Sequence, residues 1–533
     1  MAESRERWDS RSAFIMAAIG SAIGLGNVWR FPFVVGQNGG GAFFIPYFVA
    51  LLTAGVPLMI VEYALGVKYQ GSAAKSFRKI GKEWEWVGWW ALMVGTTISI
   101  YYCVIMSWSW MYLYRAVVDG IFGGGVPWQG IEGDYFKDEI LERSSGPGET
   151  GRILPVVVLG LAVTWLSIWW IIHKGVKRVG RIVMLTVPLP VVILVILFIR
   201  GITLEGSGEG IAYYLTPNFD ALTEPNVWLA AYGQIFFSLS LGFGILIAYA
   251  SYLPRRSDIA NNAVITSFAN CATSFFAGFV VFSVLGFLAH QPDEAKTVSD
   301  LATGGGVGLA FEVYPTAIGK IDMGTTLVAI FSALFFLMFL ALGIDSAFSI
   351  VEGVVTGLND KFQANREVIV GGLCIFGFIA GLIFCTQAGL YYLDIVDHWM
   401  NGYGLAAVGL MECIVVGWVL GSKRLRKMFR KEHPEMDGGA PLCGPYELKK
   451  YVNEVSDFKV GWWWDLCIMV ITPGILAGSL VLSFINDLTV RYEGYPDTWL
   501  VLCGWCVAGG VVLLGLMFMF LKGRGDDFEE EEE

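Results

Sequence analysis

The chain alternates between long apolar segments and shorter polar ones, a pattern that predicts a series of membrane-spanning helices. A helix crosses the hydrocarbon core of a bilayer with about 20 predominantly apolar residues. Twelve segments meet that length, and they lie at 11–36, 41–67, 87–118, 153–172, 179–200, 228–253, 259–290, 324–358, 367–385, 389–421, 463–486 and 497–521. Spans of a membrane β-barrel would be about ten residues long with period-two alternation, which this sequence lacks. The predicted fold class is therefore an all-α integral membrane protein with twelve transmembrane helices.

Composition agrees with that pattern and narrows the class of protein. Hydrophobic residues make up 55% of the 533 positions and charged residues 16%, whereas soluble domains carry about 25% charged residues. The mean hydropathy is +0.59. Because the shortage of charge falls in long runs, it indicates a bilayer rather than one oversized soluble core. Nothing in the sequence suggests a nucleic-acid partner, and the lipid bilayer is the expected environment.

The distribution of positive charge predicts the orientation in the cell membrane. With the N-terminus inside, 27 of the 36 Lys and Arg residues lie on the cytoplasmic side, 8 lie outside, and Arg30 lies within a span. Cytoplasmic loops carry such an excess of Lys and Arg. An even number of spans then returns the C-terminus to the cytoplasm, and the acidic stretch at 523–533 is expected to be a solvated cytoplasmic tail.

Two predicted spans contain Gly-rich, hydroxyl-bearing stretches at mid-membrane depth. They are Gly20-Ser-Ala-Ile-Gly-Leu-Gly-Asn27 in the first span and Ser238-Leu-Ser-Leu-Gly-Phe-Gly244 in the sixth. Glycine tolerates dihedral angles that interrupt a helix, and free backbone groups at that depth are tolerated only where they line a cavity. Interruptions at matching positions in two halves of a transporter indicate an inverted repeat with a substrate site between the halves. Close helix packing through small residues is the alternative explanation.

This repeat divides the chain into six parts. We expect a cytoplasmic N-terminal segment at 1–10, a first five-helix repeat at 11–200 and a second, inverted five-helix repeat at 201–421. A cytoplasmic loop at 422–461, two further helices at 462–522 and the tail at 523–533 follow.

Several polar side chains lie within predicted spans, where they are costly and therefore candidates for function. They are Asn27, the i, i+4 pairs Gln234 with Ser238 and Asn270 with Ser274, and the adjacent Asp345 and Ser346. All of them offer oxygen atoms without a nearby His or Cys, which suits a hard cation such as Na⁺ better than zinc or copper. A bound sodium ion is also the simplest counter-ion for Asp345 at this depth.

The motifs around these residues resemble the neurotransmitter:sodium symporter family. The likeness begins with Arg5, Trp8 and the stretch from Gly20 to Phe33, followed by Asn38-Gly-Gly-Gly-Ala-Phe43. It continues through Gly233-Gln-Ile-Phe-Phe-Ser-Leu-Ser240, Asn270-Cys-Ala-Thr-Ser274, Leu342-Gly-Ile-Asp-Ser346 and Asp394 with Asp397. The family includes the bacterial leucine transporter, whose first and sixth helices are broken. The likeness covers nearly the whole chain and implies a sodium-coupled symporter working by alternating access.

The resemblance implies two sodium sites. The first would be formed by the Ala22 carbonyl, Asn27, Ser238, Asn270 and the substrate carboxylate. The second would be formed by the carbonyls of Gly20, Ile23 and Leu342 with the side chains of Asp345 and Ser346. Five or six oxygen ligands suit a hard cation.

The resemblance also implies a substrate site for a small zwitterion. The carboxylate would bind near the backbone N–H groups of Leu25 and Gly26 and the Tyr102 hydroxyl, and the amine would bind the carbonyls of Ala22, Phe237 and Ser240. Ser238 lies beside it, and Ile98, Tyr102, Phe237, Phe243, Ser346, Ala347 and Ile350 would surround the substrate side chain. Monoamine transporters of the family have Asp where this chain has Gly24. The expected substrate is therefore a neutral amino acid, with its own carboxylate.

Ser274 marks a departure from the bacterial leucine transporter, which is similar elsewhere but has Glu at this position. Chloride-dependent animal members have Ser. The resemblance therefore implies a chloride site formed by Tyr47, Gln234, Ser238, Asn270 and Ser274. The balance of charge agrees with a bound chloride ion, since two sodium ions would otherwise lie beside one fixed carboxylate, Asp345. The alternative is that Ser274 only packs between helices.

The resemblance further implies two gates. Arg30 and Asp397 would close the outer side, with Tyr102 and Phe237 stacked above the ligand. Arg5 and Asp360, with Trp8, Ser251 and Tyr252, would close the inner side. A homodimer is a further expectation.

An enzyme is not expected, since His173, His290, His398 and His433 lie near span ends or in loops, and no nucleophile–base pair, metal-ligand set or P-loop motif is present. A transport-inactive amino-acid receptor or scaffold on the same fold stays open as the alternative. Cys503 and Cys506 form a CxxC pattern in an apolar span, which we interpret as small core residues.

Overall fold

The computed structural model describes residues 5–129, 131, 134–292, 296–302, 306–420 and 446–524. Its regular structure is helical throughout these residues, apart from two isolated bridges, Gly40 with Pro217 and Ile153 with Thr386. The helices, with their 3₁₀ and π turns included, are α1 (Arg11–Ala22), α2 (Leu25–Gln37), α3 (Gly41–Tyr69), α4 (Ala73–Ile80), α5 (Lys82–Phe122), α6 (Pro155–Ile172), α7 (Val176–Gly201), α8 (Ser207–Leu215), α9 (Pro225–Ser238), α10 (Ile245–Ala250), α11 (Ile259–Ala289), α12 (306–320), α13 (Thr325–Phe362), α14 (Arg366–Cys385), α15 (Gly389–Leu420), α16 (Tyr446–Val455), α17 (Trp462–Gly494) and α18 (Asp497–Phe520).

Ten of the described helices are long and apolar enough to cross a membrane, and α1 with α2 adds an eleventh as a bent pair. The prediction of a multi-pass, all-helical membrane protein is confirmed. The predicted bounds agree with these helices to within a few residues, except that α17 continues to Gly494. The predicted sixth span, 228–253, consists of α9 and α10, each too short to cross alone.

The first interruption separates α1 from α2 by two residues. The two helices are bent by 61°, and Ile23 and Gly24 have extended backbone angles. Since an extended residue cannot continue the helical hydrogen-bond ladder, peptide groups on both sides of the bend are free to meet other partners.

The second interruption, residues 239–244, separates α9 from α10. Ser240, Gly242 and Gly244 have positive φ angles of 54°, 78° and 73°. Glycine adopts this region without steric cost, whereas Ser240 is held there by its hydroxyl, which donates to the Ser21 carbonyl at 2.9 Å. The two interruptions are therefore in direct contact.

The core lies around α5 and α13, which pack against each other along much of their length. α1, α10 and α11 complete this centre, while α14, α17 and α18 present mostly exposed apolar side chains, as helices facing lipid do. Cys506 is exposed on α18 and Cys503 is only half-buried. The interpretation of both as core residues is wrong for Cys506, because α18 is peripheral.

Several predicted loops contain helices. α8 and α12 lie in polar connections, as do the short turns Tyr135–Ile140, Phe219–Thr223 and Val298–Ala302. The predicted cytoplasmic loop 422–461 contains α16 in its described part. α16 begins at the edge of the described residues, and the basic part of that loop, His433 and the acidic tail beyond Arg524 lie outside them.

Candidate functional site

A small cavity of about 40 Å³ lies where the two helix interruptions meet. Its lining combines polar backbone with apolar side chains from α5 and α13. It is lined by Ser21, Ala22, Gly24, Leu25, Gly26, Asn27, Ile98, Tyr102, Phe237, Ser238, Ser240, Phe243, Ser346 and Ile350. Eleven of the twelve residues predicted to contact a substrate are in this lining. The exception is Ala347, which is fully buried outside the cavity.

The start of α2 presents its backbone N–H groups to this cavity. The Leu25 N–H lies 3.2 Å from the Tyr102 hydroxyl oxygen, and the Gly24 N–H donates to the Asn27 amide oxygen at 2.9 Å. A Cβ atom added at Gly24 would lie 2.8 Å from Ser346 Oγ and 3.2 Å from Tyr102 Oη. Gly24 therefore leaves room that any side chain would remove.

A fully buried polar cluster lies beside the cavity, between α2, α9 and α11. The Asn27 amide nitrogen donates to Ser274 Oγ at 2.7 Å and lies 2.8 Å from the Asn270 amide. The Asn270 amide in turn lies 2.7 Å from Ser238 Oγ. The second terminal atom of the Asn270 side-chain amide lies 3.1 Å from the Ala22 carbonyl oxygen. Either the amide nitrogen or a cation has to face that carbonyl, because two acceptors repel each other.

A second polar centre lies around Asp345 of α13, a helix that packs against α1. Asp345 is 2% exposed, and its Oδ1 accepts a hydrogen bond from Thr186 Oγ1 at 2.7 Å. A Cβ added at Gly20 would lie 3.1 Å from Asp345 Oδ2. The carboxylate forms no ion pair with a described residue. Asp345 Oδ2 therefore faces the α1 backbone at Gly20. No positively charged side chain of the described residues balances its charge.

Ser346 and the residues that carry the other predicted carbonyl ligands belong to α13 and to the first interruption. The Ser346 hydroxyl donates to the Ser21 carbonyl at 3.2 Å, the same carbonyl that accepts from Ser240. Ile23 lies at the interruption, with its N–H bonded to the Ile19 carbonyl at 2.7 Å. Leu342 lies one helical turn before Ser346 and is buried.

Two residues of the predicted chloride site, Gln234 and Tyr47, have incomplete or weak hydrogen bonding among the described residues. Gln234 is buried, and both its amide nitrogen and its amide oxygen lack a hydrogen-bond partner. The Tyr47 hydroxyl donates to the Cys271 thiol at 3.3 Å and also interacts with the Ser274 hydroxyl. Donors this deeply buried are nearly always satisfied.

On the inner side, the predicted gate residues are in contact. Arg5 Nη1 lies 2.7 Å from Asp360 Oδ1, and Arg5 also donates to Ser251 Oγ at 2.7 Å. Its guanidinium lies 5.1 Å from the centre of the Tyr252 ring. Burial disfavours the Arg5 charge, but the Asp360 carboxylate outweighs that effect, so the pKa of Arg5 is raised above its ordinary value.

Trp8 completes the inner contact. Its indole N–H donates to the Tyr249 carbonyl at 2.9 Å, and the ring packs edge-on against Tyr249 and Tyr252. The N-terminal segment is thereby fixed across the inner ends of α10 and α13.

On the outer side, Arg30 and Asp397 do not form an ion pair. The Arg30 guanidinium lies 4.5 Å above the Phe237 ring, while Asp397 accepts from Tyr101 and Asn401, both at 2.7 Å. An outer cavity of about 640 Å³ separates α2 and α9 from α15 and α17. The predicted Tyr102–Phe237 stack is replaced by the Arg30 contact with Phe237. The ion pair predicted for the inner gate is therefore formed, the one predicted for the outer gate is not, and a cavity adjoins Arg30 and Phe237.

Sequence reasoning missed three polar residues within the membrane helices, of which Thr186 is half-buried and the two glutamates are fully buried. Thr186 on α7 bonds Asp345, and Glu62 on α3 and Glu412 on α15 are both fully buried. The two glutamates could have been found, because each is an isolated acid in an apolar run. Thr186 carried no such signal, since hydroxyl residues are common in membrane helices.

Comparison with known proteins supports the same class. The sodium:neurotransmitter symporter family profile matches residues 5–132 and 128–433. The chain is 40% identical over 505 residues to an uncharacterised sodium-dependent transporter of Methanocaldococcus jannaschii, covering 93% of this chain and 94% of that protein. It is 34% identical to the mouse sodium- and chloride-dependent neutral and basic amino acid transporter B(0+), covering 95% of this chain and 83% of that protein.

A third relative is a transporter of an amine. The chain is 31% identical to the sodium-dependent dopamine transporter of Caenorhabditis elegans, over 99% of this chain and 89% of that protein. The family and these relatives are transporters and not enzymes. The chain therefore belongs to the sodium:neurotransmitter symporter family and is a sodium-dependent symporter.

Proposed function

We propose that this protein is a sodium-coupled, chloride-dependent symporter of a neutral amino acid or a similar small carboxylated zwitterion. The observation that carries the proposal is the cavity between the two helix interruptions, with the Leu25 N–H and the Tyr102 hydroxyl facing one another at 3.2 Å. A backbone N–H group at the start of a half-helix and a hydroxyl group, which here are bonded to each other, are both donors to a carboxylate that enters between them.

Gly24 supports a substrate that brings its own carboxylate. The space beside Gly24 is bounded by Ser346 and Tyr102, and no fixed acid lines the cavity. A ligand with only an ammonium group would therefore have no carboxylate partner there. Ile98, Phe243 and Ile350 make the remaining wall apolar, which favours a neutral side chain.

Two sodium ions would bind beside this substrate. Ala22, Asn27, Ser238 and Asn270 would hold the first together with the substrate carboxylate, which makes sodium and substrate binding interdependent. Gly20, Ile23, Leu342, Asp345 and Ser346 would hold the second. The uncompensated Asp345 carboxylate and the close approach of the Asn270 amide to the Ala22 carbonyl support cations at these two positions.

A chloride ion would bind near Ser274. The unpartnered amide of Gln234 and the weakly bonded hydroxyl of Tyr47 support an anion between them, with Ser238, Asn270 and Ser274 as neighbours. Chloride would balance the second sodium charge. The mouse relative is described as chloride-dependent, which agrees with this proposal.

The architecture follows from the same proposal. α1–α2 and α9–α10 each form one broken span, which gives twelve spans in two inverted five-helix repeats and two additional helices. Both termini lie in the cytoplasm, in agreement with the excess of Lys and Arg in the predicted inner loops. Spans one, two, six and seven rock against the rest, and α18 and α14 leave apolar surface for a homodimer.

The test is uptake by the purified protein in liposomes. A panel of labelled amino acids is offered under an inward gradient of sodium chloride, sodium gluconate or choline chloride. We expect concentrative uptake of a neutral amino acid in sodium chloride, loss in choline chloride and a strong reduction in gluconate. Unchanged uptake in gluconate would remove the chloride site. Sodium-dependent binding without counterflow would instead identify a transport-inactive receptor.

A further inference from the structure

A buried ion pair lies at the inner end of α13, next to the residue that binds Arg5. Lys361 Nζ of α13 lies 2.7 Å from Glu85 Oε1 of α5, and both side chains are 4% exposed. The Trp89 indole N–H donates to the same glutamate oxygen at 2.9 Å. Arg78 of α4 lies 3.0 Å from the other oxygen, Glu85 Oε2. Charged groups are costly to bury unless they are paired and hydrogen-bonded, and Glu85 meets that condition with both of its oxygens.

Asp360, the neighbour of Lys361 in the chain, binds other partners. Its Oδ1 accepts from Arg5 at 2.7 Å, and its Oδ2 accepts from the Ser72 N–H at 2.7 Å. Ser72 is the N-cap of α4. Adjacent residues of a helix differ in direction by about 100°. The last turn of α13 therefore contacts the N-terminal segment and α4 through Asp360, and it contacts α5 through Lys361.

The short helix α4 is bound at both of its ends to these two consecutive residues. Its N-cap donates a backbone N–H to Asp360, and Arg78, in its last turn, binds Glu85, the partner of Lys361. α4 also lies directly on α5, since a Cβ added at Gly88 would lie 2.4 Å from the α4 backbone. The contacts thus form a closed ring of α4, α5 and the last turn of α13.

We propose that Glu85 and Lys361 are positioning residues for the inner gate: their ion pair fixes the last turn of α13 so that Asp360 meets Arg5. Their role rests on the proposed function, in which Arg5 moves with span one and Asp360 stays with the rest of the protein. Asp360 holds Arg5 only if its own helix end does not give way. Helix ends fray, and α13 ends at Phe362, so Asp360 needs the support that the ring supplies.

Lys361→Met removes the positive charge and keeps a side chain of similar shape. Glu85 still binds Arg78 and Trp89, so the buried carboxylate stays paired, whereas its link to α13 is lost. The end of α13 then relaxes and Asp360 holds Arg5 less firmly. We expect the population of the inward-open conformation to rise about fivefold, the factor expected for loss of the gate's own ion pair.

The test is a double-mutant cycle on the full-length protein in saturating sodium chloride. It is read by the labelling rate of a cysteine introduced at Leu253, which is 4% exposed, after subtraction of the labelling of protein without that cysteine. Lys361→Met should raise the rate about fivefold on its own but less than about twofold when added to Arg5→Ala, because the contact that the pair supports is already absent there. Lys361→Arg, which keeps the charge, should label like the wild type.

Lys137→Met is the matched control. Lys137 forms an ion pair with Glu312 at 2.5 Å in the connection between α5 and α6, so its loss should leave labelling at Leu253 unchanged. An unchanged rate in Lys361→Met, or a full fivefold rise on top of Arg5→Ala, overturns the proposal, because the pair would then act on stability alone. Should Lys361→Met fail to fold, Glu85→Gln decides by the same two criteria, since its amide oxygen still accepts from Trp89.

The labelling rate does not depend on a transported substrate. Absence of sodium-dependent uptake in the liposome assay would therefore refute the proposed function and leave the result of the cycle readable. Normal uptake together with additive labelling would instead refute the role of Glu85 and Lys361 and leave the proposed function intact.

Discussion

The Asp345 carboxylate accepts a hydrogen bond from the Thr186 hydroxyl at 2.7 Å, and its other oxygen faces the backbone of α1 at Gly20. Thr186 thus fixes the rotamer of an acid that belongs to a different helix. With one oxygen occupied by Thr186, the second oxygen is left for the cation and the interrupted helix. This relationship makes Thr186 a positioning residue for the proposed second sodium site.

Thr186→Ala should weaken sodium binding about fivefold, corresponding to the ~1 kcal/mol that one hydrogen bond contributes. Thr186→Ser should restore it. The measurement is the sodium concentration that gives half-maximal thermal stabilisation of the purified protein. Thr164→Ala is the control, because Thr164 is buried and its hydroxyl donates to the Gly160 carbonyl of its own helix at 2.9 Å rather than to an acid. Equal effects at both positions would indicate a general loss of packing.

Gly24→Ala should reduce affinity for the amino-acid substrate on the order of tenfold or more, since the added methyl group overlaps Ser346 and Tyr102 in a packed site. Gly233→Ala on α9 is the matched control, because no heavy atom lies within 4 Å of the Cβ it would add. Competition binding with the labelled substrate compares the two. Normal affinity in Gly24→Ala would mean that the substrate does not occupy this cavity.

Ser274→Glu should make uptake independent of chloride. The substitution places a fixed negative charge beside Asn27, whose amide nitrogen lies 2.7 Å from the Ser274 hydroxyl, so the sodium charge is balanced without an anion. The readout is the ratio of uptake in sodium gluconate to uptake in sodium chloride, which should rise toward one. Ser267→Glu, a buried serine on the same helix, controls for the added charge. Continued chloride dependence in a folded Ser274→Glu protein contradicts the proposed anion site.

Arg5→Ala should shift the protein toward the inward-open conformation about fivefold. This estimate assumes ~1 kcal/mol for a partly exposed ion pair, here Arg5 with Asp360 at 2.7 Å. The measurement is labelling of a cysteine introduced at Leu253, which is 4% exposed. Arg11→Ala removes the same charge from a more exposed side chain, 3.8 Å from Asp258, and should leave labelling unchanged. If both variants label alike, the inner contact with Asp360 does not act as a gate.

The sequence predicted most of the membrane helices because a span is a local property. About 20 apolar residues in a row are sufficient to place α6 or α13 in a bilayer, whichever helices surround them. The two interruptions were also predicted locally, since the glycines at 24, 242 and 244 permit backbone angles that end a helix. α12 and α16 were missed, because neither is apolar enough to stand out from a polar loop.

The candidate site could be identified only from the sequence and the tertiary structure together. Its residue types were visible as polar side chains in apolar runs, but their grouping came from the resemblance to a known family, and only the tertiary structure brings Asn27 of α2 next to Asn270 of α11. Ala347 is outside the cavity lining because it is one residue after Ser346, and adjacent helical residues differ in direction by about 100°.

What the sequence alone determined is therefore the class of protein, its spans and the positions where two of them break, because hydropathy and glycine flexibility act over neighbouring residues. The tertiary structure decided which distant groups face each other: Thr186 and Asp345, Arg5 and Asp360, and Glu62 and the Gly242 N–H. Such contacts follow from how helices pack. A difference of one residue in helical register turns a side chain from a polar partner toward lipid, and no local pattern specifies that register.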